Sequence, residues 1–171
     1  MPRDGHTGRH QRVDGAARLA YARRGGVSAL ADLYQRAPCR LLFPDAGPDE
    51  PPQAVLLTTS GGLTGGDRLA VAVEVAASAA ATVTAQAAEK LYRAGEDDCA
   101  VDIALTVGPG AWAEWLMQET ILFDGARLRR RTAADIAPGG RLLAVESVVF
   151  GRAAMGEDFR RGLLHDSWRV R

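Results

Sequence analysis

Val55-Leu56-Leu57-Thr58-Thr59-Ser60-Gly61-Gly62-Leu63-Thr64-Gly65-Gly66-Asp67-Arg68-Leu69-Ala70-Val71-Ala72-Val73-Glu74-Val75 joins an apolar run to an alternating one through two glycine pairs. Leu69, Val71, Val73 and Val75 alternate with Ala70, Ala72 and Glu74, a period of two that predicts a strand with one buried face. Glycine enters positive-φ conformations without steric cost, so Gly61, Gly62, Gly65 and Gly66 predict a tight, shaped connection between strands. Asp67 closes the connection, where a short carboxylate accepts hydrogen bonds from turn amides. A phosphate cradle needs a Gly-Lys-Ser/Thr ending, whereas this stretch ends Gly-Asp-Arg and also lacks the spacing of a dinucleotide fingerprint.

Upstream, Met1 to Ala16 is polar and basic without hydrophobic period and is expected to be a flexible tail, followed by a single domain over 17–171. His6 and His10 lie four apart there, but nothing nearby promises the helix that would bring them together as metal ligands. Arg18–Arg23 and Val27–Tyr34 flank Gly25-Gly26, a hairpin signal. A short strand over Pro38–Phe43 and a Pro/Asp/Gly-rich loop follow. Downstream, Ala76 to Ala94 is pulled both ways: alanine favours helix, while Thr82-Val83-Thr84 favours a strand, expected to run to about Gln86. Further strands are predicted at Val101–Val107, in the tryptophan-bearing Ala111–Gln118, at Thr120–Phe123 and at Leu128–Ile136 with Arg127, Arg129 and Arg131 on one face. The last reading is a strand from Leu142 to Phe150. Strand after strand at short intervals with Gly/Pro turns predicts an all-β protein with few short helices, without a repeat that marks a solenoid.

The chain has 171 residues, 47% hydrophobic, with zero formal net charge, which gives no general attraction to nucleic acid or anionic membrane. No run approaches the about 18 apolar residues of a membrane span, and no secretory leader is read at the start. Cys39 and Cys99 lie far apart and are expected as reduced thiols of a cytoplasmic protein. Lys90 is the single lysine. The acidic candidates are Glu89, Glu114, Glu119, Asp124, Glu146 and Glu157. Among them Glu146 is the most informative, because a carboxylate inside an apolar strand is either solvent-facing or buried with a partner, for which Lys90 and Arg152 are the candidates. Gly-x-Ser-x-Gly is absent, and no histidine lies in the middle of the chain, so nucleophilic hydrolase chemistry lacks its parts. Paired acids in a cleft leave open an alternative, a carbohydrate-active or ligand-binding β protein, which genomic neighbourhood would separate.

Four ordered motifs carry a resemblance: Thr59-Ser60-Gly61-Gly62-Leu63-Thr64-Gly65-Gly66-Asp67, Thr84-Ala85-Gln86-Ala87-Ala88-Glu89-Lys90-Leu91-Tyr92-Arg93, Glu114-Trp115-Leu116-Met117-Gln118-Glu119-Thr120-Ile121-Leu122-Phe123, and Gly151-Arg152-Ala153-Ala154-Met155-Gly156-Glu157. In this order and spacing the chain resembles the urease accessory protein family UreD, called UreH in some organisms. Met117 departs from the proline usual there. Family members continue well past Trp168-Arg169-Val170-Arg171, so the chain is expected to be truncated, lacking roughly the family's last third.

The resemblance implies an elongated, layered β fold and a non-enzymatic maturation scaffold. Such proteins bind the UreF accessory protein, through it the GTPase UreG, and also apo-urease, and the assembly inserts nickel. It further implies no stably bound cofactor, with Ni²⁺ in transit through an internal channel. Oxygen ligands suit a metal that must be released. Glu146, Asp67 and Glu157 match family motif positions and are the expected metal contacts on that path. Gly61, Gly62, Gly65, Gly66, Lys90 and Arg152 are expected as structural motif residues.

Overall fold

The computed structural model describes residues 12–47 and 50–171. Its strands wind in coils, each coil giving one strand to each of three sheets. β5 (Arg68–Val75), β6 (Ala80–Ala85) and β7 (Glu89–Leu91) make one coil; β8 (Cys99–Val107), β9 (Trp112–Leu116) and β10 (Thr120–Leu122) make the next. β11 (Arg127–Ile136), β12 (Arg141–Val145) and β13 (Val148–Phe150) make another, and β14 (Leu163–Val170) returns to the first sheet. Equivalent strands stack in parallel: Arg68 lies opposite Ala100, Ala100 opposite Arg129, and Arg129 opposite His165. The protein is therefore all-β and layered as a stack of coils. One 3₁₀ turn, Ala153–Met155, is the sole helical element among the described residues.

The coil solves a problem posed by the alternating sequences. A parallel sheet usually has both faces covered and reads as continuously apolar. Here each strand turns one face inward to the stack and the other to solvent, which preserves the period of two. Leu19, Val73, Leu105 and Ala134 form one such inward rung, all buried. The residues that repeat are spatial neighbours through geometry rather than through similar sequence, which is why no repeat is visible.

Two antiparallel strands close one end of the stack. β1 (Asp14–Arg24) lies parallel to β5, and β2 (Val27–Arg36) folds back on β1 through Gly25-Gly26, as the hairpin signal predicts. In the second sheet, β3 (Cys39–Leu42) folds antiparallel on β4 (Gln53–Thr58), which lies parallel to β6. At the other end β14, β12 and β13 are the outermost strands of their sheets. Inward-facing Trp168 and Val170 remain 40% and 60% exposed there.

Two expectations are corrected. β1 begins at Asp14, inside the stretch read as tail, because its pairing partner Arg68 is remote in sequence; residues 1–11 of that stretch, and with them His6 and His10, lie outside the described residues. The strand read from Leu142 to Phe150 is two strands in two sheets, broken at Glu146-Ser147. Glu146 therefore stands at a corner of the coil. The glycine stretch carries β4 to β5 across the third sheet. Leu63 pairs with Leu91 there, its N–H donating to the Lys90 carbonyl at 2.8 Å.

Candidate functional site

Between the sheets lies a cavity of about 150 Å³. Its walls are mostly aliphatic, but Thr58, Glu89, Thr120, Arg130 and Glu146 bring polar groups to them. Arg130 reaches that wall from one rung of the first sheet. Gly15, Leu69 and Val101 stack in the first three strands, and the same position then becomes Arg130 on β11 and Asp166 on β14. Strand periodicity turns Leu128, Arg130, Thr132 and Ala134 inward together. Arg127, Arg129 and Arg131 face out as expected, Arg127 and Arg129 sharing Asp98 and Arg131 pairing with Asp102.

Arg130 holds the cluster together. Its Nε donates to Asp166 Oδ1 at 3.1 Å, its Nη2 reaches the other Asp166 oxygen, and its Nη1 donates to Thr120 Oγ1 at 3.3 Å. Nη2 also lies 3.3 Å from Glu146 Oε2, and the two side chains are only 8% and 7% exposed. Burial works to lower the guanidinium pKa, but the Asp166 hydrogen bond and the charges of Glu146 and Asp166 outweigh it and raise it. Glu146 receives two indole donors as well: Trp115 Nε1 to Oε1 at 3.0 Å and Trp168 Nε1 to Oε2 at 3.2 Å. The partner of Glu146 is thus Arg130, which corrects the expectation of Lys90 or Arg152.

Across the cavity wall, Glu89 accepts a hydrogen bond from Thr58 Oγ1 at 2.9 Å. Burial pushes its carboxyl above the ordinary glutamate range, while the hydrogen bonds from Thr58 and the Lys90 backbone pull the other way. The remaining sequence candidates stand apart from this cluster. Asp67 is 3% exposed and fixes its turn, accepting the Val13 N–H at 2.9 Å and the Thr64 N–H at 2.8 Å. Glu157 pairs with Arg152 at 2.6 Å across a short antiparallel bridge, and the Arg152 guanidinium lies 4.1 Å from the Phe123 ring centre. Lys90 is exposed and makes no salt bridge among the described residues.

The glycines act by shape. A Cβ on Gly62 would stand 2.5 Å from the Tyr92 ring and 2.9 Å from the Lys90 carbonyl oxygen; one on Gly65 would meet the Asp97 carbonyl oxygen at 2.3 Å. The other acids are dispersed: Glu114 accepts from Thr82 and Trp112, and Asp124 accepts the Arg160 and Arg161 amides. Cys39 and Cys99 are buried free thiols, pushed up to about 11 and about 12 by burial.

Sequence reading missed Arg130, Asp166, Trp115 and Trp168 as one cluster, and it left Glu89 among the unselected acids. A signal for Arg130 did exist: it is the charged residue in phase with Leu128, Thr132 and Ala134. No group of three or more His, Cys, Asp or Glu side chains converges among the described residues. No helix among them is long and apolar enough to cross a membrane.

Residues 13–171 match the family model described as UreD urease accessory protein. A urease accessory protein UreD from Magnetococcus marinus is 49% identical over 160 residues, which cover 94% of this chain and 55% of the relative. Its counterpart from Cereibacter sphaeroides is 48% identical over 158 residues, covering 92% of this chain and 57% of the relative. One from Chelativorans is 44% identical over 160 residues, covering 94% and 57%. The chain thus spans little more than half the length of these curated relatives.

Proposed function

The chain belongs to the UreD urease accessory protein family, and from that membership we propose that it serves urease maturation as a non-enzymatic scaffold. In this reading it works in the cytoplasm with the UreF and UreG accessory proteins and apo-urease, and supports nickel insertion. The observation that carries the reading is the match over 13–171 together with relatives named urease accessory protein UreD. Nickel is cargo here and no cofactor is held.

The interior cavity is the part of the fold suited to such cargo. Its polar side chains are carboxylates, hydroxyls, carboxamides and one guanidinium, with no thiolate or imidazole, and oxygen donors exchange a borderline divalent ion more readily than thiolates or imidazoles do. Glu146 and Glu89 are the carboxylates on its wall, so they are the proposed transient contacts. Asp67 and Glu157 have their oxygens engaged elsewhere, in the turn and with Arg152, and contribute to a path only if those bonds open.

The test is co-expression with UreF, UreG and apo-urease, with affinity capture of the chain. Recovery of the accessory proteins together is the expected result. A folded chain that captures neither UreF nor apo-urease would remove the basis of the proposal.

A further inference from the structure

Arg130 is the one basic residue among the buried residues described, and it faces a cavity proposed above to pass a divalent cation. Its sign is wrong for a cation route, which calls for an account of its own. Glu146 is correspondingly unavailable: Oε2 takes both Arg130 and Trp168, and Oε1 takes Trp115. A carboxylate offers about four lone-pair sites, so roughly one is left open. Asp166 is occupied by the same guanidinium through both of its oxygens.

We infer that Arg130 is the charge gate of the interior cavity, a positioning residue whose guanidinium occupies the cation position between Glu146 and Asp166 and so decides whether a divalent ion reaches Glu146. The inference rests on the nickel-handling reading above. Its physical content is competition. Two carboxylates and one guanidinium leave one negative charge in excess, so the cluster keeps a weak pull on cations while the gate is shut. Removing the guanidinium leaves two carboxylates near one another with no internal counter-ion, a state that a divalent ion relieves. Asp166 and Trp168 both come from β14, so the contacts that orient the guanidinium and the acid change together when that strand moves.

The experiment titrates Ni²⁺ into the purified chain by calorimetry and follows its melting with and without Ni²⁺. Wild type is compared with Arg130→Met, Arg130→Lys and the double variant Arg130→Met/Glu146→Gln. Arg130→Met is expected to bind Ni²⁺ at least about tenfold more tightly than wild type and to gain melting temperature on Ni²⁺ addition. Arg130→Lys keeps the charge but loses the two-pronged fork, and a gain of about threefold is expected. The double variant should return to the wild-type affinity. Unchanged affinity in a cooperatively melting Arg130→Met overturns the inference, as does a gain that survives in the double variant. If Arg130→Met does not fold, Arg130→Lys decides, and no gain there overturns it. The titration needs no partner protein, so a failure to capture UreF counts against the proposed function and not against the gate.

Discussion

Asp67 holds Val13 across the start of the first sheet: the Val13 N–H donates to Asp67 Oδ1 at 2.9 Å, while the Thr64 N–H donates to Oδ2 at 2.8 Å. One buried carboxylate thus ties the entry of β1 to the exit of the glycine turn. Asp67→Ala leaves two amides without their acceptor, each costing about 1–3 kcal/mol when fully buried; both bonds are only part-buried, so a loss of about 2–4 kcal/mol is expected. Urea unfolding measures it. A loss under half a kcal/mol would show that water replaces the carboxylate freely.

Glu146→Ala takes from Arg130 one of its two carboxylates, Asp166 remaining, and orphans both indole donors. Breaking a buried pair costs about 3–5 kcal/mol when the other charge is left alone; with Asp166 still on Arg130, a smaller loss of about 2–4 kcal/mol is expected, chiefly from the two orphaned indoles. Glu146→Gln keeps an oxygen that accepts from an indole or from Arg130 and fills the same space, so its melting point should lie clearly above that of the alanine variant. Equal melting points for the two would mean that the hydrogen bonds to Glu146 contribute little.

Glu89 gives a pH signature. Its folded pKa is raised above the ordinary value, chiefly by burial, so the folded chain holds its proton to higher pH than the unfolded chain does. Its contribution to stability is therefore fully present below the ordinary glutamate pKa and lost as pH rises through the folded value. Glu89→Gln lacks this titration and still accepts from Thr58. Urea midpoints between about pH 4 and pH 7 should show the variant gaining on wild type as pH rises. Parallel curves would contradict the raised pKa.

Gly65 and Gly61 separate two reasons for glycine. Gly65 has an added Cβ meeting a backbone oxygen at 2.3 Å, whereas Gly61 has open space but a φ of +75°. Gly65→Ala should cost about 1–3 kcal/mol by overpacking. Gly61→Ala should cost about 1–2 kcal/mol by conformation, and Gly61→Asn less, because asparagine tolerates that region. Asparagine at 65 should bring no such relief. Chemical denaturation of the four variants tests the ordering.

The open end of the stack predicts self-association. β14 and β12 present unpaired edges, and Val145, Trp168 and Val170 are 50%, 40% and 60% exposed. Such edges template pairing with another chain, and lysine blunts them. Sedimentation should show wild type associating with concentration, and Ala144→Lys/Val170→Lys shifting toward monomer. A wild type monomeric throughout the range would mean that this end is already protected.

Much of this was legible in the chain. Leu69, Val71, Val73 and Val75 announce an inward face, Gly25-Gly26 a hairpin, and Asp67 a turn lock, because each depends on neighbours within a few residues. The stacking was not legible, since Arg68 meets Ala100 and Ala100 meets Arg129 through parallel pairing between dissimilar segments. Glu89–Leu91 was hidden for the same reason, as a three-residue strand takes its form from the coils beside it. Arg130 was masked by its place in Arg129-Arg130-Arg131, where only the phase of the strand separates one inward guanidinium from two outward ones. The break at Glu146-Ser147 was masked by apolar residues on both sides.

The antiparallel strands β2 and β3 give the stack a direction. They seal the first coil on one side, so the remaining surface open for growth faces the later coils. A chain leaving the ribosome amino end first meets a finished template before each new coil is made. Such a molecule assembles as a zipper does, from a stop toward a slider, and a fault in one tooth delays the teeth after it while sparing those already closed.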